Sequence, residues 1–301
     1  MRLRKEKRAK RKQEKKQKVK LTWKQRLLQA VIYIIVGFLS LSAFVSIFAH
    51  ERSNQTKKKK EIATTCFETM YVASGYTMSY TIDVTYMVKN ADKTADTVSM
   101  AYQAKEEIDQ VHKKKKISLI SAGRVMNTNI YESQVLYYGD GKLIRQEYSE
   151  IGELLSEKEE PAEVTFEYNP MLTFASMILE KPGEFKMKGE GKTITGSISL
   201  SDISSFLNLF PYSALFSGIE KNKYFTDQVN KITITNNNGY FQSAVIDLKN
   251  IASTLIGPFY NEVGASVEVS QYTITIYMES WEQPTIELPE GEINVEKETD
   301  S

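Results

Sequence analysis

YTMSYTIDVTYMV, residues 76–88, carries an apolar or aromatic side chain at every even position: Tyr76, Met78, Tyr80, Ile82, Val84, Tyr86 and Val88. The odd positions hold Thr77, Ser79, Thr81, Asp83 and Thr85, with Met87 the single apolar exception. Successive side chains on a strand point to opposite faces, so this spacing predicts one long strand with a buried face and a wet face.

The same alternation recurs downstream. Val98, Met100, Tyr102 and Ala104 repeat it after a polar turn spanning residues 90–96. Residues 117–126 and 130–138 give two further strands, and Asp140-Gly141 supplies a tight turn into 142–148. Consecutive strands with short turns and one apolar face predict an antiparallel meander. Residues 149–168 are acidic and turn-like, and are expected to form a surface excursion.

Asn169-Pro170 is a helix start, with a capping side chain before a proline at the first helical position. The helix over 171–179 is apolar nearly all round, so it belongs inside. Lys181-Pro182-Gly183 ends it. A strand is expected near 192–200, then a second helix from Ser201 with Ile203, Phe206, Leu207 and Phe210 on one face. Residues 231–236, an Asn238-Gly239 turn and residues 240–248 form a hairpin. The last strand, 267–281, changes phase at Ser270-Gln271, as a β-bulge would produce. Residues 283–301 are polar and acidic and are expected to fray.

Toward the N-terminus the composition changes abruptly. The whole chain has a formal charge of +1, yet residues 1–26 hold fourteen Lys/Arg against Glu6 and Glu14. That segment is too charged to fold alone and reads as a disordered arm. The chain after residue 26 is net acidic, which argues against a nucleic-acid-binding domain. Residues 27–49 carry no charge and, at about 1.5 Å per residue, span roughly 34 Å as a helix, enough to cross a bilayer. The basic n-region is long for a cleaved signal, and Ile47 two residues before Ala49 spoils a small-x-small cleavage site. An uncleaved anchor with a cytoplasmic N-terminus is therefore expected, its arm near anionic lipid headgroups.

Beyond the anchor, Ser53-Asn54 can cap a helix that Gly75 ends, with Ile62, Cys66 and Met70 forming one stripe. The organisation expected is a tail over 1–26, a transmembrane helix over 27–49, a stem and helix over 50–75, an extracytoplasmic β-rich domain over 76–290, and a polar tail over 291–301.

Cys66 is the only cysteine, so no internal disulfide can form, and Ala63-Thr64-Thr65 before it is no lipidation pattern. It reads as a small apolar side chain on a helix face. Of two histidines, His50 sits at the membrane exit and His112 at a hairpin end, neither with an evident partner for general-base work. No metal-ligating, nucleophile-elbow or phosphate-loop pattern is present. An enzyme is not expected, and neither a cofactor nor a metal is implied. Lys113, Lys114, Lys115 and Lys116 read first as a solvated turn, with a surface contact to an anionic lipid or wall polymer as the functional alternative.

The apolar inventory is large. Tyr80, Tyr86, Met100 and Tyr102 on strands, with Phe174, Met177, Phe206 and Phe210 on helices, are candidate lining of a cavity for a hydrophobic ligand. An ordinary core accounts for the same residues.

Tyr80-Thr81-Ile82-Asp83-Val84, Tyr137-Tyr138-Gly139-Asp140-Gly141-Lys142, the 196–206 strand-to-helix junction, and residues 272–277 leading to Ile286-Glu287-Leu288-Pro289 resemble the LolA-like lipoprotein-carrier superfamily. The similarity is to its LppX/LprG-type branch and related uncharacterised Gram-positive surface lipoproteins, over residues 60–290. The resemblance implies an α+β fold: a curved antiparallel sheet, or half-barrel, packed on helices, here preceded by one transmembrane helix. It also implies binding of a lipid or other hydrophobic molecule at the cell surface. A fixed anchor departs from carriers that are soluble or lipid-tethered. A scaffold or accessory subunit of a cell-envelope machine, such as a conjugation or secretion apparatus, is the other expectation, with envelope proteins as partners.

Overall fold

The structure, a computed structural model, describes residues 23–92, 94–125, 128–163, 169–199, 229–237, 240–249, 252, 261 and 264–289. Side chains of 23–37, 39–41, 43, 44, 47, 199 and 229 lie outside that description. So do residues 1–22 of the basic arm, the helix expected from Ser201, the Asn238-Gly239 turn and residues 290–301; residues 23–26, expected in the disordered arm, are helical. The chain divides into two compact units, residues 1–55 and 56–301.

The first helix, α1 (Trp23–Tyr71), is one continuous element of 49 residues. No new start occurs at Ser53-Asn54, which lie exposed inside it. Helix nucleation is the costly step; once the apolar run is helical, propagation through two polar residues needs no cap. Among the described residues no helix is long and apolar enough to cross a membrane, most side chains of 27–49 being outside the description.

The second unit is built on an open antiparallel sheet of eleven strands. Six run outward in sequence: β1 (Gly75–Lys89), β2 (Ala95–Asp109), β3 (Lys114–Val125), β4 (Thr128–Gly139), β5 (Lys142–Tyr148) and β6 (Leu154–Pro161). Helix α2 (Pro170–Glu180) then leads to β7 (Phe185–Lys188), β8 (Thr193–Ser199), β9 (Val229–Asn237), β10 (Tyr240–Asp247) and β11 (Ser266–Ser280). The spatial order β6-β5-β4-β3-β2-β1-β11-β10-β9-β8-β7 puts β1 in the middle, five strands to each side. Every neighbouring pair is adjacent in sequence except β1 and β11, which join the two meanders. Ile82 lies opposite Ile274 there, and Tyr80 opposite Ile276.

The phase change in the last strand is a bulge. Thr85 pairs with Gln271 and Tyr86 with Val269, leaving Ser270 unpaired; its hydroxyl donates to Thr85 O at 3.0 Å. Two strands are not evident in the sequence, β6 and β7. Both are the sheet's edges; β6 reads LLSEKEEP and lacks the alternation that a buried face imposes.

The core lies on one face, here the inner face, which the even residues of β1 occupy. Tyr76, Met78, Tyr80 and Ile82 are at most 3% exposed, beside Ile232, Ile234, Ala244, Ile246, Ile274 and Ile276. From α1, Ala63, Cys66 and Met70 enter the same cluster; Ile62 is only partly buried. From α2, Met171, Leu172, Phe174, Ala175 and Ile178 do so, and Asn169 Oδ1 caps the helix by accepting from Met171 N at 2.8 Å. Sheet and helices make an α+β half-barrel.

Two ties complete it. Lys59, only 5% exposed, donates its ammonium to Pro182 O and Phe185 O at 2.5 Å each, binding α1 to the turn before β7. Residues 283–289, expected to fray, instead run along the strand ends. Gln283 Nε2 donates to Asp109 Oδ1 at 2.9 Å, Pro284 packs by Gly75, Ile286 is buried, and Leu288 lies against Gly139. Apolar residues at Ile286 and Leu288 give the segment a reason to dock that its charge count hides.

Candidate functional site

The inner face continues beyond the sealed core onto β2, β3 and β4. Cross-strand register extends the row of Val84 through Met100 and Gly123 to Ile130, and the row of Ile82 through Tyr102 and Ser121 to Glu132. Leu119 and Leu136 occupy the neighbouring rows, opposite Ala104 and Ile117. Tyr86, Met100, Tyr102, Leu119, Ile130 and Leu136 are all half-buried. An apolar strip therefore borders the core without being sealed into it.

The eight residues singled out as lining divide accordingly. Tyr86, Met100 and Tyr102 belong to the strip. Tyr80 and Phe174 are in the closed core at 3% and 1% exposure. Met177 is partly buried and packs on that core. Phe206 and Phe210 lie outside the described residues. Burial pushes the Tyr102 hydroxyl above its ordinary value, and the charge of Glu132 adds to the shift. Tyr272 is raised further, by burial and then by Tyr102, so both phenols stay neutral donors.

Above the strip sits a buried polar cluster that sequence reasoning passed over. Glu106 accepts from the Tyr80 hydroxyl at 2.7 Å through Oε2 and pairs with Lys115 at 2.6 Å through Oε1. The signal was available: Glu106 interrupts the even-numbered apolar series of β2 between Ala104 and Ile108. A charge at a buried strand position needs partners.

The four lysines do not share one direction. Lys113 occupies the turn, with φ 54°. Lys115 points inward to Glu106, whereas Lys116 points outward, 3.5 Å from Glu107 and over the Tyr137 ring. Lys114 rests its stem near Gly139. Strand alternation, invisible in a run of identical residues, separates them.

His112 does have a carboxylate partner, contrary to the sequence expectation. Its Nδ1 lies 2.7 Å from Asp109 Oδ2, and its backbone N–H donates to Oδ1 at 3.0 Å. Burial pushes the Asp109 carboxyl up, but the His112 N–H, the ring and Gln283 more than offset it and hold it below its ordinary value. The arrangement closes the turn between β2 and β3 and anchors the C-terminal segment. Among the described residues no three or more His, Cys, Asp or Glu side chains converge on a metal position. Cys66 is buried, and burial pushes its thiol up to about 12.

Fold and site together define a half-barrel with an accessible apolar strip on its inner face. No protein-family model matches the sequence, and no curated protein does. Among solved structures the chain is similar to the crystal structure of LprF from Mycobacterium bovis, with 12% identity over 76% of this chain and 95% of that one. The TM-score is 0.34, a likeness too loose to fix either fold or ligand.

Proposed function

We propose that the protein is a membrane-anchored, extracytoplasmic domain that binds a lipid or other hydrophobic ligand at the bacterial cell surface, by binding rather than catalysis. The observation that carries this is the strip of Tyr86, Met100, Tyr102, Leu119, Ile130 and Leu136, left half-exposed beside buried Ile82, Val84, Ala104 and Ile117. Apolar side chains in that state gain about 25 cal/mol per Å2 when an acyl chain covers them. The strand order, with β1 central and a helix crossing between edges, supports a LolA-like carrier domain.

Anchoring rests on the uncharged run over 27–49, where Phe38, Val45 and Phe48 are 72%, 57% and 62% exposed along the helix. Such side chains suit a hydrocarbon surround, with the basic arm on anionic headgroups in the cytoplasm.

A photocrosslinking residue at Tyr102 of the full-length protein in cells tests the ligand. A lipid-sized adduct at 102 is expected, and none at the adjacent outward-facing Gln103. No adduct, or equal adducts at both, sinks the proposal.

A second reading, docking to an envelope protein, is favoured by Ile151, Leu154 and Leu155, exposed by 80%, 52% and 66% at the turn between β5 and β6. Crosslinkers there should trap one defined protein; diffuse or absent products count against it.

A further inference from the structure

The sheet edge at β7 gathers lysines that neither the core nor the apolar strip uses. Lys186 and Lys188 share the outer face of β7, and Lys231 shares it two strands away on β9. The positions between them on that face are all threonine or serine, with no carboxylate. Lys192 stands in the turn before β8. Helix α1 brings more from far away in sequence. Lys59 binds Pro182 O and Phe185 O, which holds its neighbours Lys57, Lys58 and Lys60 at the same edge. The Lys58 stem reaches the Gly191 turn, its Cε 3.8 Å from where a Gly191 Cβ would stand.

Residues 57–61 and 180–192 hold eight lysines against Glu61, Glu180, Glu184 and Glu190. Lys57, Lys58, Lys60, Lys186, Lys188 and Lys192 are exposed, and no ion pair among the described residues involves them. Charge on an edge strand guards it against pairing with another chain. That accounts for Lys186 and Lys188, and not for the lysines that α1 and the turn add. The chain after residue 26 is net acidic, so this edge is a positive spot on a negative domain. An anionic plane attracts such an edge and repels the remainder, which selects one orientation. Eight residues lead from Ala49, the end of the uncharged run, to Lys57, a reach of at most about 28 Å even fully extended. Among the described residues no large apolar side chain is exposed between these lysines, so a protein partner would find no anchor there. A fluid layer of charged headgroups needs none.

We propose that the β7 edge docks on anionic lipid headgroups of the bilayer that holds the anchor, through Lys57, Lys58, Lys60, Lys186, Lys188 and Lys192. Docking rests on the proposed anchor for its address and is independent of what the apolar strip binds. Strand β6, at the other end of the strand order, is not held to the headgroups.

The test reconstitutes the full-length protein in phosphatidylcholine nanodiscs with and without phosphatidylglycerol, and with nitroxide-headgroup lipid as quencher. A fluorophore is placed at Gly183→Cys, where an added Cβ meets nothing within 4 Å, or at Glu150→Cys before β6; native Cys66 is buried and stays unlabelled. Quenching at 183 and not at 150 is expected in phosphatidylglycerol discs, and it should vanish in high salt. Lys186→Gln, Lys188→Gln and Lys192→Gln should each lower the docked-to-free ratio by about fivefold, while arginine at the same positions keeps it. Equal melting temperatures check that the variants fold. Inserted protein that is unquenched at 183, or quenched equally at 150, overturns docking and leaves the anchor standing. Equal quenching without phosphatidylglycerol overturns it too. An unquenched edge whose lysines are shielded by added poly(glycerol phosphate) overturns it in favour of a wall polymer. Protein that enters neither kind of disc refutes the anchor, and docking falls with it.

Discussion

Cys66 reports on whether α1 stays seated on the sheet. Its thiol is wholly buried and raised from 9.0 to about 12, so in place it holds roughly a thousandfold less thiolate than an exposed cysteine. Seating of the helix face rests on fully buried Met70 with Ile62 and Phe67 partly covered. At about 1.5–3 kcal/mol for a fully buried large side chain and less for the others, the face contributes roughly 4 kcal/mol. Transient lifting of α1 would then expose the thiol about one part in a thousand. Reaction through lifting follows the ordinary thiol titration, whereas reaction in place follows the raised one. The assay is release of a chromogenic disulfide reagent by the full-length protein across pH, native and in urea. Native protein should react about a thousandfold more slowly, with a rate that levels off near the ordinary thiol value. Reaction at the unfolded rate sinks the seating of α1. A rate still climbing far above pH 9 would mean the helix does not lift.

Other outcomes rest on single contacts. Lys59→Met keeps the stem but strands the carbonyls of Pro182 and Phe185, so urea unfolding should show a loss of about 2–4 kcal/mol; under about 0.5 kcal/mol would mean water replaces the ammonium. Asp109 has a depressed folded-state value, so its stabilisation is present above the unfolded value near 3.9 and is lost as pH falls through the folded one. Asp109→Asn should therefore melt lower than wild type at neutral pH, with the gap closing in acid; a gap independent of pH contradicts this. Gly196→Ala drives a methyl to 2.4 Å from the Phe185 ring and should cost about 1–3 kcal/mol. Adding Phe185→Leu should recover part of that loss, and strict additivity in the double-mutant cycle would deny the contact.

Much of the fold was legible because strand periodicity is local. Even positions from Tyr76 to Val88 face the core because each residue inverts the side-chain direction, whatever its partner. The same locality located β5, the Asn169 cap of α2 and the bulge at Ser270. Edge strand β6 escaped because none of its residues is buried, and β7 because four residues with Phe185 alone buried are too few to show a period. The site was less legible. Tyr80, Phe174 and Tyr102 look alike as aromatic residues in apolar settings. Only tertiary packing, which covers one end of each cross-strand row and not the other, separates the sealed residues from the strip.

Charged residues show the division most sharply. Lys59 and Lys115 each sit in a run of four lysines, yet one binds two backbone carbonyls and the other a buried glutamate. Asp109, His112 and Gln283 meet only because the C-terminal segment crosses the end of the β2–β3 hairpin. By itself the sequence determined the elements whose formation depends on neighbours a few residues away: strand faces, turns, caps and the uncharged run over 27–49. Tertiary structure decided the joining of β1 to β11, the ties at Lys59 and Gln283, and which apolar residues stay accessible. These are contacts between residues far apart in the chain, whose partners are chosen by the whole packed sheet and by no local period.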